Sequence, residues 1–158
     1  MNNEGKRREH TDMPMTRILE RLYLGSASDA DRLAKDNPSG ISAVINVSME
    51  QSEHKAPALT YLHYPIHDGT SVGPAVFEEV MTAIARQIRI GKVLVHCSAG
   101  MSRSPVMVAA YLRYAGHECF ECALQTIAEL RPVIDPNPVL VPSAKRYLRI
   151  RLGCGKGN

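Results

Sequence analysis

Strand-like and helix-like patterns alternate along this chain. Residues 21–24 (RLYL) form a short strand candidate. Residues 26–36 (SASDADRLAKD) open on Ser and Asp, which cap helix starts, and close on the turn residues NPSG. Residues 41–47 (ISAVINV) are a β-branched run between turn signals, the mark of a buried strand, and residues 60–66 (TYLHYPI) give another. Residues 73–91 carry Pro near the start, apolar positions three and four apart, and Gly91 at the end, which predicts a helix. Residues 92–96 (KVLVH) read as a buried strand and residues 105–116 as a helix ending at Gly116. A further helix over 117–131 is stopped by Arg131-Pro132, and a last one spans 136–152 with two prolines near its start. This alternation predicts an α/β fold: a mostly parallel central sheet flanked by helices.

Composition narrows the picture. At 158 residues, with 44% hydrophobic and 22% charged, the chain fits one domain with its own core. Trp is absent and aromatics are 5%, so that core is mainly aliphatic. Residues 1–16 and 153–158 lack periodicity and are expected to be flexible tails around a domain over 17–152. The net charge of +3 falls short of a dense basic patch, so no nucleic-acid partner is expected. The start of the chain has no apolar signal region, and runs such as VMVAAYL are too short to span a bilayer. The second residue is Asn2 rather than the glycine that myristoylation needs, and there is no C-terminal prenylation box. These features predict a soluble, cytoplasmic monomer without a membrane partner.

One polar stretch breaks the pattern where the fold makes that informative. Residues 95–105, VHCSAGMSRSP, lie between the strand KVLVH and the helix PVMVAAYL. In open α/β sheets, ligands bind at the carboxyl ends of strands. Curled into a cradle, the loop would turn the N–H groups of Ser98, Ala99, Gly100, Met101, Ser102 and Arg103 inward as a nest. The following helix adds its positive N-terminal end, and Arg103 can grip two oxygens of one phosphate. Cys97 at the floor sits in that positive field as a candidate thiolate nucleophile. Gly100 lets the backbone approach closely or adopt positive φ. Ser104 can donate to the sulfur. His96 directly precedes Cys97, so it braces the loop through hydrogen bonds rather than acting as a base. Cys-x5-Arg alone is a weak signal, and a buried structural Cys in a turn is the bland alternative; the strand–loop–helix setting is what sharpens it. No G-K-[ST] follows the glycine, which argues against a nucleotide-binding loop.

HCSAGMSRS resembles the signature of the Cys-based protein tyrosine phosphatases, and its SRS ending with AAYL is similar to the dual-specificity branch. ILERLYLGSASDA, ISAVINVS and RPVIDPNPVL are also similar to segments of that branch, so the resemblance covers roughly residues 17–150. It implies a three-layer fold, metal-independent hydrolysis of phosphomonoesters through a phosphocysteine, no cofactor, and phosphorylated proteins as partners. Expelling the leaving oxygen requires a proton, hence a general acid. Asp68 in YPIHDGTSVGP is the candidate: it follows a strand among Gly and Pro, 29 residues before Cys97. Read alone, Asp68 is equally a solvated loop or capping residue; the resemblance implies the acid there.

Other features are weighed the same way. Cys119 and Cys122 form C-x-x-C within a predicted helix, half of a zinc site, and read as two helix-packed cysteines, with redox or zinc binding as the alternative. A disulfide between Cys97 and another Cys is a further option, with no partner indicated. His63 and His67 beside Asp68 lack an evident third ligand, so no metal site is expected. Lys145, Arg146, Arg149 and Arg151 follow helical spacing, as a solvated face or an anionic docking surface. Rival functions are a phosphatase of lipid, polysaccharide or RNA 5′ phosphate, and a phosphoprotein-binding pseudophosphatase. Residues 98–102 contain no Lys, which argues against multiply phosphorylated lipids.

Overall fold

The structure, a computed structural model, describes residues 13–153. Most of both expected tails, residues 1–12 and 154–158, lies outside the described residues, and so does Cys154.

Among the described residues five strands form one sheet: β1 (Thr16–Leu19), β2 (Leu22–Gly25), β3 (Ile41–Asn46), β4 (Thr60–His63) and β5 (Lys92–His96). Their order is β1-β2-β5-β3-β4. β1 pairs antiparallel with β2, and every other pairing is parallel. The helices are α1 (Ala27–Leu33), α2 (Pro74–Ile90), α3 (Arg103–Tyr114), α4 (Phe120–Leu130) and α5 (Leu140–Leu152). The mostly parallel sheet flanked by helices is therefore present, as expected.

The two-residue period of the strands builds two cores of unequal size. Leu22, Leu24, Ala43, Ile45, Val93 and Val95 face one side and pack under α2, α3, α4 and α5. Tyr23, Val44 and Leu94 face the other side and meet Ala30 and Leu33 of α1 and Ile41, with Met15, Leu59 and Tyr61 packed at the edge. Four helices cover one face and one short helix the other. α1 holds because Ser26 and Asp29 form a reciprocal capping box. β2 and β5 are central and end side by side at Gly25 and His96. The loop that opens at Cys97 thus leaves the middle of the sheet.

Several boundaries differ from the sequence reading, each for a local reason. β1 was not foreseen and begins at Thr16, inside the expected tail; its burial is partial, so its sequence carries little apolar signal. β4 stops at His63 instead of Ile66: Tyr64 N–H still reaches the Asn46 carbonyl (2.9 Å), but Pro65 has no N–H to continue. α5 starts at Leu140, after Pro136 and Pro138 rather than through them. α4 starts at Phe120, because Cys119 caps it. Cys119 and Cys122 are joined as a disulfide on the surface, so the reading of two helix-packed thiols does not hold. No helix among the described residues is long and apolar enough to cross a membrane.

Candidate active site

The loop after β5 is held from behind. The Ser98 carbonyl accepts from Ala27 N–H (2.9 Å), the Gly100 carbonyl from Arg131 Nε (2.9 Å), and the Met101 carbonyl from Asp135 N–H (2.7 Å). A trans peptide sends its N–H opposite to its carbonyl. Fixing these three carbonyls outward therefore turns the Ala99, Met101 and Ser102 amides toward the hollow of the loop. Ser102 Oγ accepts from Asn137 N–H (2.9 Å), which ties the loop to the segment before α5.

Inside the hollow lies a cavity of about 350 Å³. Cys97 and Arg103 line it together with Asp68. Ser98, Ala99, Met101 and Ser102 complete the loop side, and Asp135 adds a second carboxylate at the rim. Cys97 is 2% exposed, and its Sγ lies 3.1 Å from Ser104 Oγ. Ser104 is fully buried on the first turn of α3 and also sits 3.5 Å from the Gly25 carbonyl. Arg103 donates from Nη1 to the Ile66 carbonyl (3.0 Å), while its buried Nε has no partner among the described residues. A buried guanidinium edge without an acceptor is an open position for an anion. Ile66 precedes Asp68 by two residues, so one hydrogen bond couples Arg103 to the loop that carries the exposed carboxylate.

His96 is 1% exposed and uses Nδ1 toward the Cys97 carbonyl (3.0 Å). A carbonyl only accepts, so Nδ1 carries the proton and Nε2 a lone pair. Burial pushes its pKa below the ordinary 6.5, outweighing the opposing pull of the Cys97 carbonyl and of Asp31 and Asp29. The folded state thus refuses a proton that the unfolded chain takes up below about pH 6.5. Stability is full above that value and is expected to fall as pH drops through it. The urea midpoint followed from about pH 7.5 to 5.5 checks this; the decline should be weaker in His96→Asn, and an equal slope would remove the assignment.

Sequence reasoning grouped Cys97, Arg103, Asp68 and Ser104 with the loop residues Ser98, Ala99, Gly100, Met101 and Ser102; of these all but Gly100 and Ser104 line one cavity. Gly100 lies apart from the cavity wall, buried behind the loop at φ +69. A Cβ there would stand 2.6 Å from the Gly25 oxygen and 2.7 Å from Arg131 Nη2. Arg131 was not foreseen. It is 1% exposed and also donates from Nη1 to the Pro14 carbonyl (2.8 Å) and Thr16 Oγ1 (3.1 Å). It locks the loop to the start of β1. Burial pulls its pKa down from the ordinary arginine value, opposed by the negative charges of Asp29 and Cys97. Its signal in the sequence is faint: it reads as a helix stop before Pro132 and as the head of RPVIDPNPVL, neither of which points to the loop after β5. His63 donates from Nε2 to the Ser48 carbonyl (2.7 Å). Of the basic α5 residues, Lys145 pairs with Glu121 (2.9 Å) and Arg151 with Glu78 (3.3 Å) on the surface.

A loop with Cys97 and Arg103 both buried, set at the end of a central parallel strand, is the arrangement of the Cys-based protein phosphatases. The chain belongs to the dual specificity phosphatase family: the model of that family's catalytic domain matches residues 22–147. Human dual specificity phosphatase 28 is 32% identical over 137 residues, covering 85% of this chain and 77% of that protein. Its crystal structure superposes with a TM-score of 0.77 at 28% identity, covering 89% of this chain and 97% of that one. Human dual specificity protein phosphatase 5 is 38% identical over 122 residues, 76% of this chain but 32% of its own length. This chain thus spans about a third of that longer relative. The human tyrosine phosphatase-like serine/threonine/tyrosine-interacting protein superposes with a TM-score of 0.78 at 30% identity, covering 89% of this chain and 99% of that one.

Proposed function

We propose that the protein hydrolyses phosphotyrosine, phosphoserine and phosphothreonine monoesters of proteins through a phosphocysteine, with no metal. The observation that carries this reading is one cavity holding the Cys97 thiol, the unpartnered edge of Arg103 and the Asp68 carboxylate. The phosphoryl oxygens fit against Arg103 and the inward amides, which place the phosphorus above Cys97. The sulfur attacks; the S–P bond forms as the P–O bond to the substrate breaks, and Asp68 gives its proton to the leaving oxygen. Water then attacks phosphorus, Asp68 takes its proton, and the S–P bond breaks to release phosphate. Ser104 donates to the departing thiolate. Arg103 and the amides stabilise the equatorial charge in both steps. The catalytic residues of this reading are Cys97, Arg103, Asp68 and Ser104, with His96 and Arg131 positioning the loop.

The rim is open: Asp68, Ser98 and Asp135 are all exposed. Such a mouth supports access for short phosphoserine and phosphothreonine side chains as well as phosphotyrosine. Asp68→Asn tests the assignment on an aryl phosphate. It is expected to lower kcat roughly 10²–10⁴-fold and to flatten the limb of the pH profile that the acid sets. Unchanged kcat and profile would mean that the proton comes from elsewhere.

A further inference from the structure

Beside the catalytic cavity, across Ser98, lies a second cavity of about 250 Å³. Its lining is acceptor-rich. Asp31 enters from α1, and Glu50 and Glu53 from the loop after β3. The Asp31, Glu53 and His54 ligand atoms lie within 4.8 Å of one another. Surface carboxylates alone would mean little, but the wall also includes His96, 1% exposed, with Nε2 buried and unpartnered among the described residues. Since Nδ1 donates to the Cys97 carbonyl, Nε2 offers a lone pair. A buried acceptor without a donor carries a standing cost that an incoming donor relieves.

The cavity is built in advance. Asn46, 4% exposed, donates from Nδ2 to the Glu50 carbonyl (2.7 Å). Its Oδ1 accepts from Ser48 N–H (2.8 Å) and Ser48 Oγ (2.6 Å). His54 reaches back to Asp31 at 4.0 Å, which joins this loop to α1. The loop's own cation, Lys55, is held over the Tyr61 ring at 5.4 Å instead of neutralising the carboxylates. Three carboxylates and a buried lone pair, with room for a side chain, call for a donor-rich cation. A guanidinium fits that requirement in both charge and fork geometry.

We propose that this cavity is a subsite for an arginine or lysine of the phosphorylated substrate, close in sequence to the phosphoresidue. The inference rests on the phosphatase reading of the neighbouring cavity and names the substrate class: phosphoproteins with a basic residue flanking the site. An extended peptide advances about 3.3 Å per residue, so adjoining cavities take side chains only a few positions apart. Asp135 at the rim of the catalytic cavity adds to the acidic surround, which disfavours acidic or multiply phosphorylated flanks.

The experiment compares matched phosphopeptides with arginine, alanine or glutamate walked through each flanking position. The wild type is expected to favour the best arginine peptide over alanine by about tenfold in kcat/KM, the weight of one charge-assisted hydrogen bond. Asp31→Asn with Glu53→Gln should erase that preference while leaving p-nitrophenyl phosphate turnover unchanged. Equal use of arginine and alanine peptides by the wild type overturns the subsite, as does a preference that survives in the double variant. Calorimetric titration with nonhydrolysable phosphonate versions reads the same preference independently of turnover. A protein that binds these selectively but turns nothing over keeps the subsite and loses the enzyme. If instead one equivalent of zinc binds the wild type, not the double variant, and the phosphonates are bound without preference, the cluster is an ion site and the proposal falls.

Discussion

Cys97→Ser is expected to lower kcat on an aryl phosphate by roughly 10⁵–10⁶, the scale seen when a nucleophile is removed from an assembled site. The substitution exchanges one atom at a 2%-exposed position, 3.1 Å from Ser104 Oγ, so the cradle keeps its shape. Arg103 and the inward amides remain, and phosphate affinity should stay within a few-fold of wild type. Turnover and direct calorimetric binding of inorganic phosphate, measured side by side, separate the two effects. A variant that loses phosphate binding as well would point to collapse of the loop. A variant that keeps full turnover would remove Cys97 from the chemistry.

Gly100→Ala is expected to cause the next largest loss, although Gly100 does not line the cavity. At φ +69 a side chain is strained, at a cost on the order of 1–2 kcal/mol. The Cβ would also stand 2.6 Å from the Gly25 oxygen, which is backbone of a central strand and cannot step aside. Its other neighbour is Arg131 Nη2 at 2.7 Å, on the side chain whose Nε holds the Gly100 carbonyl. Relief requires the loop to lift, which re-aims the neighbouring amides. A misplacement of about 1 Å can cost on the order of 100-fold. We expect kcat/KM to fall by at least that factor and the urea midpoint to drop measurably. Wild-type activity would show that the loop has slack which the packing denies.

The fold was legible because two periods dominate this chain. β3 and β5 are apolar on both faces, and α2 shows spacing of three and four between Pro74 and Gly91. β1 was not legible, because an antiparallel edge strand with half-buried residues has neither signal. The strand end at His63 and the helix start at Leu140 were blurred by prolines, which mark a break without fixing its place.

The candidate site's loop was legible for a different reason: its residues are local in sequence, from Cys97 to Ser104. What escaped is non-local. Arg131 reaches the Gly100 carbonyl from 31 residues away, and Asp135 grips Met101 with a backbone N–H that no pattern records. The outward pull on three carbonyls, which turns the amides inward, exists only in the folded arrangement. The acidic cavity next door is likewise assembled from α1, the loop after β3 and the end of β5. Of its members only His96 and Ser98 stand out in sequence, and both as parts of the loop around Cys97; its carboxylates do not.

The most direct test of the account is to trap the covalent intermediate. Enzyme mixed with an excess of aryl phosphate, quenched in acid within a turnover and digested, should yield a peptide containing Cys97 with one added phosphoryl group. The peptide should be absent from Cys97→Ser treated the same way. Rapid turnover with no phosphorylated Cys97 at any quench time, or a phosphoryl group on another residue, would contradict it.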